Sequence, residues 1–155
     1  MTQLARTAQQ VAALGENGVD RAGGGVVVRI AIAGRITPEA VNRFADSLDH
    51  AVSGGTAFAV LFDRRTMSAP TREGRAALHR WGHHGLPRLV GPCVAWADLY
   101  DERRAASIAR AAATRAAATP RDGEPDEPPP PYPQRIFTDP GDALGWLHHH
   151  LAALV

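Results

Sequence analysis

Lysine is missing altogether from this 155-residue chain, and arginine supplies all 17 of its Lys/Arg side chains. That absence excludes a Schiff-base lysine, a lysine general base and the lysine of a phosphate-binding P-loop. A codon usage biased toward arginine and alanine explains it more simply than selection on function. Cysteine is reduced to a single residue, Cys93, so no disulfide within the chain and no cysteine-built zinc site is possible. Lying in the apolar run "GPCVAWAD", this thiol is expected to be buried and inert. An excess of one charge is also lacking: 17 basic against 16 acidic residues leave a net charge of +1. No positive field therefore points to nucleic acid as a partner. No apolar run approaches the ~20 residues needed to cross a bilayer, and "MTQLARTAQQ" carries no secretory h-region. A soluble, cytoplasmic protein with no membrane partner is expected. No Gly-x-Ser-x-Gly elbow occurs, and "GGG" precedes the first predicted strand instead of following it, as a dinucleotide-binding turn would.

What the chain does contain is an alternation of strand and helix. Residues 1–25 read as an amino-terminal helix or strand plus a turn. Leu4, Ala8, Val11 and Leu14 recur at helical spacing before Gly15, and "GENGVDRAGGG" is turn-like. In "VVVRIAIAG" the side chains of Val26, Val28, Ile30 and Ile32 share one face and Val27, Arg29, Ala31 and Ala33 the other. "TAFAVLFD" repeats the asymmetry, with Phe58, Val60 and Phe62 opposite Ala57, Ala59 and Leu61. "CVAWAD" sets Val94 and Trp96 against Cys93, Ala95 and Ala97. The three strands thus predict a sheet with one bulky and one small-residue face.

Helices are expected between them. Thr37 as cap, Pro38 in the first turn and Glu39 at the positive dipole end start one whose Val41, Phe44, Leu48 and Val52 form an apolar stripe. "TREGRAALHRWGHHG" is a second, with Ala77, Leu78 and Trp81 facing inward. "DLYDERRAASIARAAATRAAA", begun by Asp98 and Asp101, is a third whose only large apolar residue past the first turn is Ile108. Two placements suit it: close packing on the small-residue face of the sheet, or a weakly packed surface position. Residues 119–133 form a mobile loop; from Thr119 to Pro131, six of thirteen residues are proline and four are acidic. The chain then resumes as the strand "QRIFT" and a helix capped by Asp139 with Pro140 first, carrying Ala143, Leu144, Leu147, Leu151 and Leu154. Trp81, Trp96 and Trp146 are expected in the core.

"VVVRIAIAGRITPEAVNRFADSL", "AFAVLFDRRTM" and "RIFTDPGDALGWL", in this order, resemble the STAS superfamily, the domain of anti-sigma-factor antagonists and sulfate transporters. More narrowly they resemble bacterial STAS-like proteins ending in Phe-x-Asp-x-x-x-Ala-Leu-x-Trp-Leu. The likeness covers residues 26–151 apart from the proline-rich loop. It implies one α/β domain over 26–155, with a mixed sheet of four to five strands flanked by helices. It also implies a non-enzymatic module that binds a protein partner or regulates one. In anti-sigma antagonists the phosphoacceptor opens the helix after the strand matching "AVLFD"; here "SAPTREG" makes Thr71 the counterpart and Ser68 the runner-up. Pro70 stands where the family has an acidic residue, a departure that weakens the match.

The residues themselves allow a rival of another class: a small-molecule-binding protein or small biosynthetic enzyme. Ligands of open α/β sheets bind at the carboxyl ends of parallel strands. Arg35, Asp63, Arg64, Arg65 and Asp98 are delivered there with Gly34, Thr138 and Asp139, and His79 stands nearby. For Asp98 and Asp139 the role of helix cap is the simpler expectation, and for the arginines it is only to solvate loops or pair with those carboxylates. His79 and His83 have the i, i+4 spacing of metal ligands, but two ligands are too few and "HRWGH" lacks the glutamate of a zinc peptidase. His84 or the run His148–His150 completes the set only if the last helix packs beside the second, so no metal and no cofactor is assigned. A homodimer through the small-residue face or an edge strand is a third possibility.

Overall fold

The computed structural model describes residues 18–22, 24–117 and 130–154. The expected amino-terminal helix and most of the proline-rich loop fall outside them. The elements run β1 (Gly18–Ala22), β2 (Gly25–Ala31), β3 (Gly34–Arg35), α1 (Pro38–Ser53), β4 (Phe58–Asp63), β5 (Met67–Ser68) and α2 (Arg72–His84). A 3-10 turn (Leu86–Leu89), β6 (Cys93–Leu99), α3 (Glu102–Ala117), β7 (Gln134–Phe137) and α4 (Pro140–Ala152) follow. Five strands form one sheet in the order β1-β2-β4-β6-β7. β1 is antiparallel to β2 and the other neighbours are parallel. β3 and β5 form a separate two-residue parallel ladder beyond the ends of β2 and β4.

The two-faced pattern holds. Val28, Ile30, Ile32, Phe58, Val60, Phe62 and Trp96 lie in one buried cluster with Val41, Phe44 and Leu48 of α1 and Ala77 of α2. On the reverse, Val27, Ala59, Leu61, Ala95, Ala97 and Leu99 meet Ala143, Leu144, Leu147 and Leu151 of α4. α1 begins as its residues dictate: the Thr37 hydroxyl accepts from Ala40 N (3.3 Å) and Pro38 needs no amide partner.

Four expectations are corrected, and the placement of α3, left open between two, is decided for the surface. The stretch read as a turn contains β1, whose Asp20 pairs with Arg29 of β2; a five-residue edge strand with one large apolar side chain, Val19, carries little periodic signal. Cys93 and Val94 exchange faces. Phe58 pairs with Cys93 but Ala59 pairs with Ala95, so a bulge places one extra residue in β6. Cys93 therefore joins the bulky cluster, and Val94 packs against the small-residue side. Asp98 does not begin a helix; β6 continues through it, and Asp101 caps α3 instead, accepting from Arg104 N at 2.9 Å.

α3 does not cover the small-residue face. None of its residues is buried, and α4 takes that face. Alanines at 59, 95 and 97 leave depth for the leucines of α4, each contributing roughly 1.5–3 kcal/mol on burial, whereas α3 has little but Ile108 to offer. This face is thereby closed as a surface for self-association. Leu154, expected on the apolar stripe, lies past the end of α4 and is 52 % exposed.

Candidate functional site

β4 and β6 leave their last residues side by side, with Phe62 paired to Asp98 and Asp63 to Leu99. Trp96 and Asp98, two apart on one strand, point to the same bulky face. Asp98 is buried at 3 % exposure, which requires partners for its carboxylate. Arg64 supplies one, its Nε 2.7 Å from Oδ1. The approach is charge on charge, since the Nε–H is not aligned as a hydrogen bond. Trp96 Nε1 donates to Oδ1 at 3.3 Å and Gln134 Nε2 donates to Oδ2 at 2.7 Å. The Arg64 guanidinium also lies over the Phe62 ring, 4.2 Å from its centroid.

In front of this group opens a cleft of about 630 Å³, bounded by β-strand ends, α1, α2 and the segment from Pro130 to Gln134. Phe44, Phe62, Leu78, Trp81, Trp96 and Tyr132 make up much of its wall, and Arg64 and Gln134 are its only charged or amide side chains among the described residues. Among the described residues no serine, cysteine, histidine or carboxylate lines it. Tyr132 stacks on Trp96 with centroids 6.0 Å apart and rings nearly parallel. Burial, with further contributions from Cys93 and Asp98, pushes its phenol up to about 12. Burial likewise raises the Cys93 thiol to about 12, as expected for an inert core cysteine.

The expected site residues therefore separate. Arg64 and Asp98 come together as one unit, Arg64 on the cleft wall and Asp98 behind it. Asp63 instead folds back on its neighbour, accepting from Arg65 N (3.1 Å), Nε (3.0 Å) and Nη2 (2.7 Å). That bond holds the Arg65 guanidinium above its ordinary value. Arg35 is exposed on β3 opposite Ser68 of β5, also exposed. Thr71 caps α2: its hydroxyl accepts from Gly74 N (2.9 Å) and donates to Ile36 O (3.4 Å), while its own amide donates to the same carbonyl (3.0 Å). Asp139 caps α4 as expected, accepting from Asp142 N at 2.9 Å. His79 is exposed on the outside of α2 and faces His83, not the cleft. α2 and α4 cover opposite faces of the sheet, so His148–His150 cannot join that pair.

Sequence reasoning missed Gln134 and Tyr132. Gln134 reaches Asp98 only because β7 lies beside β6 with Trp96 opposite Gln134, a register no local signal announces. Tyr132, isolated among prolines, was the one readable hint, since a buried tyrosine needs an apolar wall to lie on.

No family model matches the chain, and no curated protein matches it in sequence. Among solved structures it is similar to an uncharacterized protein of the DUF3478 family with a SpoIIAA-like fold from Shewanella loihica PV-4. The two share 18 % identity over 85 % of this chain and 92 % of that one, with a TM-score of 0.57. The fold of this chain is thus the SpoIIAA-like fold, that of STAS domains.

Proposed function

Proceeding from that fold, we propose that the protein is a non-catalytic regulatory module that binds a small, mainly apolar ligand in the cleft bounded by Trp81, Trp96 and Tyr132. The observation that carries this reading is the cleft's composition. A concave site of about 630 Å³ walled by aromatic and aliphatic side chains, with one guanidinium and one amide, has the size and character of a ligand pocket. Among the described residues it offers no serine, cysteine, histidine or carboxylate to act as nucleophile or general base. Gln134 spends one donor on Asp98 and Arg64 lies against the same carboxylate as an ion pair; with the donors left to them on the cleft wall the two favour a ligand ending in a carboxylate or another acceptor group.

Titration of the protein with a series of hydrophobic carboxylates and their neutral amides, followed through tryptophan fluorescence, tests the reading. Saturable binding, tighter for the acids and lost in Leu78→Trp, is expected. Absence of saturation with every compound, or equal binding by Leu78→Trp, overturns it.

Thr71 supports a second reading, in which a protein partner recognises the loop from Arg64 to Gly74. Its hydroxyl stands at the positive end of α2, where a phosphoryl group gains from the helix dipole and would displace the bond to Ile36 O. Incubation with an anti-sigma-type kinase, read as added phosphate by mass, decides this: modification lost in Thr71→Val supports it, and none at Thr71 or Ser68 removes it.

A further inference from the structure

His79 and His83 stand one turn apart on α2, both exposed, with their Nε2 atoms 3.3 Å apart. A metal ion bonded to two imidazole nitrogens at ~2.0–2.1 Å, with those nitrogens at this separation, subtends an angle of roughly 104–111°. That range brackets the tetrahedral angle zinc adopts. The rings meet at 69° with centroids 4.5 Å apart, so they stand edge to face and do not stack. Gly82, between them in sequence, has nothing within 4 Å of where a Cβ would stand, which leaves open space beside the pair.

We propose that His79 and His83 chelate a borderline divalent ion, Zn²⁺ or Cu²⁺, through their Nε2 atoms. Two imidazoles are too few to close a coordination shell, and no third histidine, cysteine or carboxylate joins them among the described residues, so water or a donor from outside the chain fills the remaining positions. Imidazole is a ligand type these ions share. With two protein ligands, and the cationic Arg75 one turn earlier on the same side of the helix, the site binds more weakly than a closed four-ligand structural site. Bound metal links two successive turns of α2, the helix that contributes Leu78 and Trp81 to the cleft, and so stabilises it by mass action. The inference stands apart from the ligand reading, because neither histidine lines the cleft.

The test uses untagged protein in which His148, His149 and His150 are replaced by glutamine, removing the competing run on α4. Zn²⁺ is titrated by calorimetry and Cu²⁺ by electron paramagnetic resonance. One equivalent of Zn²⁺ and a Cu²⁺ signal split by two nitrogens are expected. His79→Ala and His83→Ala each weaken binding by at least about tenfold, since loss of a direct ligand costs no less than loss of an outer-shell partner. Both positions are exposed, and circular dichroism confirms folding. Affinity unchanged in the double variant, or a single-nitrogen Cu²⁺ signal, overturns the assignment and leaves the pair as a hydrogen bond only.

Discussion

Arg64 on the loop after β4 and Asp98 inside β6, 34 residues away in the chain, form one ion pair across neighbouring strands, with the carboxylate buried and the arginine side chain 26 % exposed. The asymmetry matters. Removing Arg64 leaves a buried charge with, among the described residues, two neutral donors, Trp96 and Gln134, whereas removing the charge of Asp98 leaves an arginine that retains contact with water.

Arg64→Leu is accordingly expected to destabilise the protein by about 3 kcal/mol, the low end of the range for breaking a buried pair because Arg64 is partly solvated. Asp98→Asn costs less, and the double variant recovers much of the loss. Urea midpoints at constant m-value measure all three; a loss under about 0.5 kcal/mol in Arg64→Leu, the scatter of ordinary surface substitutions, shows that the pair is not structural.

Alkaline pH provides a second check. Burial lifts Cys93 from 9.0 to about 12 and Tyr132 from 10.0 to about 12. Between the unfolded and folded values the folded state holds more protons than the unfolded one, so stability falls as pH rises. The contribution is complete below about pH 9 and disappears toward pH 12. With no lysine in the chain, few other groups titrate in this window. Thermal midpoints recorded from pH 8 to 11 should decline, and less steeply in Tyr132→Phe; a flat profile contradicts the burial of both groups. By the same shift Cys93 should resist a thiol reagent at pH 8 until the protein is unfolded.

The start of α2 is the third point of test. A Cβ on Gly74 would run into the carbonyl oxygen of Ile36, so Gly74→Ala should cost about 1–3 kcal/mol through overpacking. Thr71→Ala, which removes the cap, should cost about 1 kcal/mol and Thr71→Ser much less. Chemical denaturation separates them: if Thr71→Ser is as damaging as Thr71→Ala, the hydroxyl is not the stabilising group.

Much of the architecture was legible because it rests on short-range rules. The alternation in residues 26–32 and 58–62 assigned Val28, Ile30, Phe58, Val60 and Phe62 to one face, and burial of that face needs no knowledge of what covers it. Thr37 with Pro38, and Asp139 with Pro140, marked two helix starts through side chains that act within four residues. By itself, then, the sequence determined the two-faced sheet, the helix caps and the pairing of a strand–helix ending with the rest of the domain.

The tertiary structure decided what depends on contacts between distant segments. Placing Cys93 with the bulky cluster required the bulge between the Phe58 and Ala59 pairings, a property of two strands together. Giving the small-residue face to α4 was a competition won by Leu144, Leu147 and Leu151 because they bury more apolar area than the alanines of α3. The cleft depended most on it. Asp98 looked like a cap until strand pairing carried it inside, beside Arg64 and within reach of Gln134, since a carboxylate's role is set by whatever surrounds it in space, which local spacing does not encode.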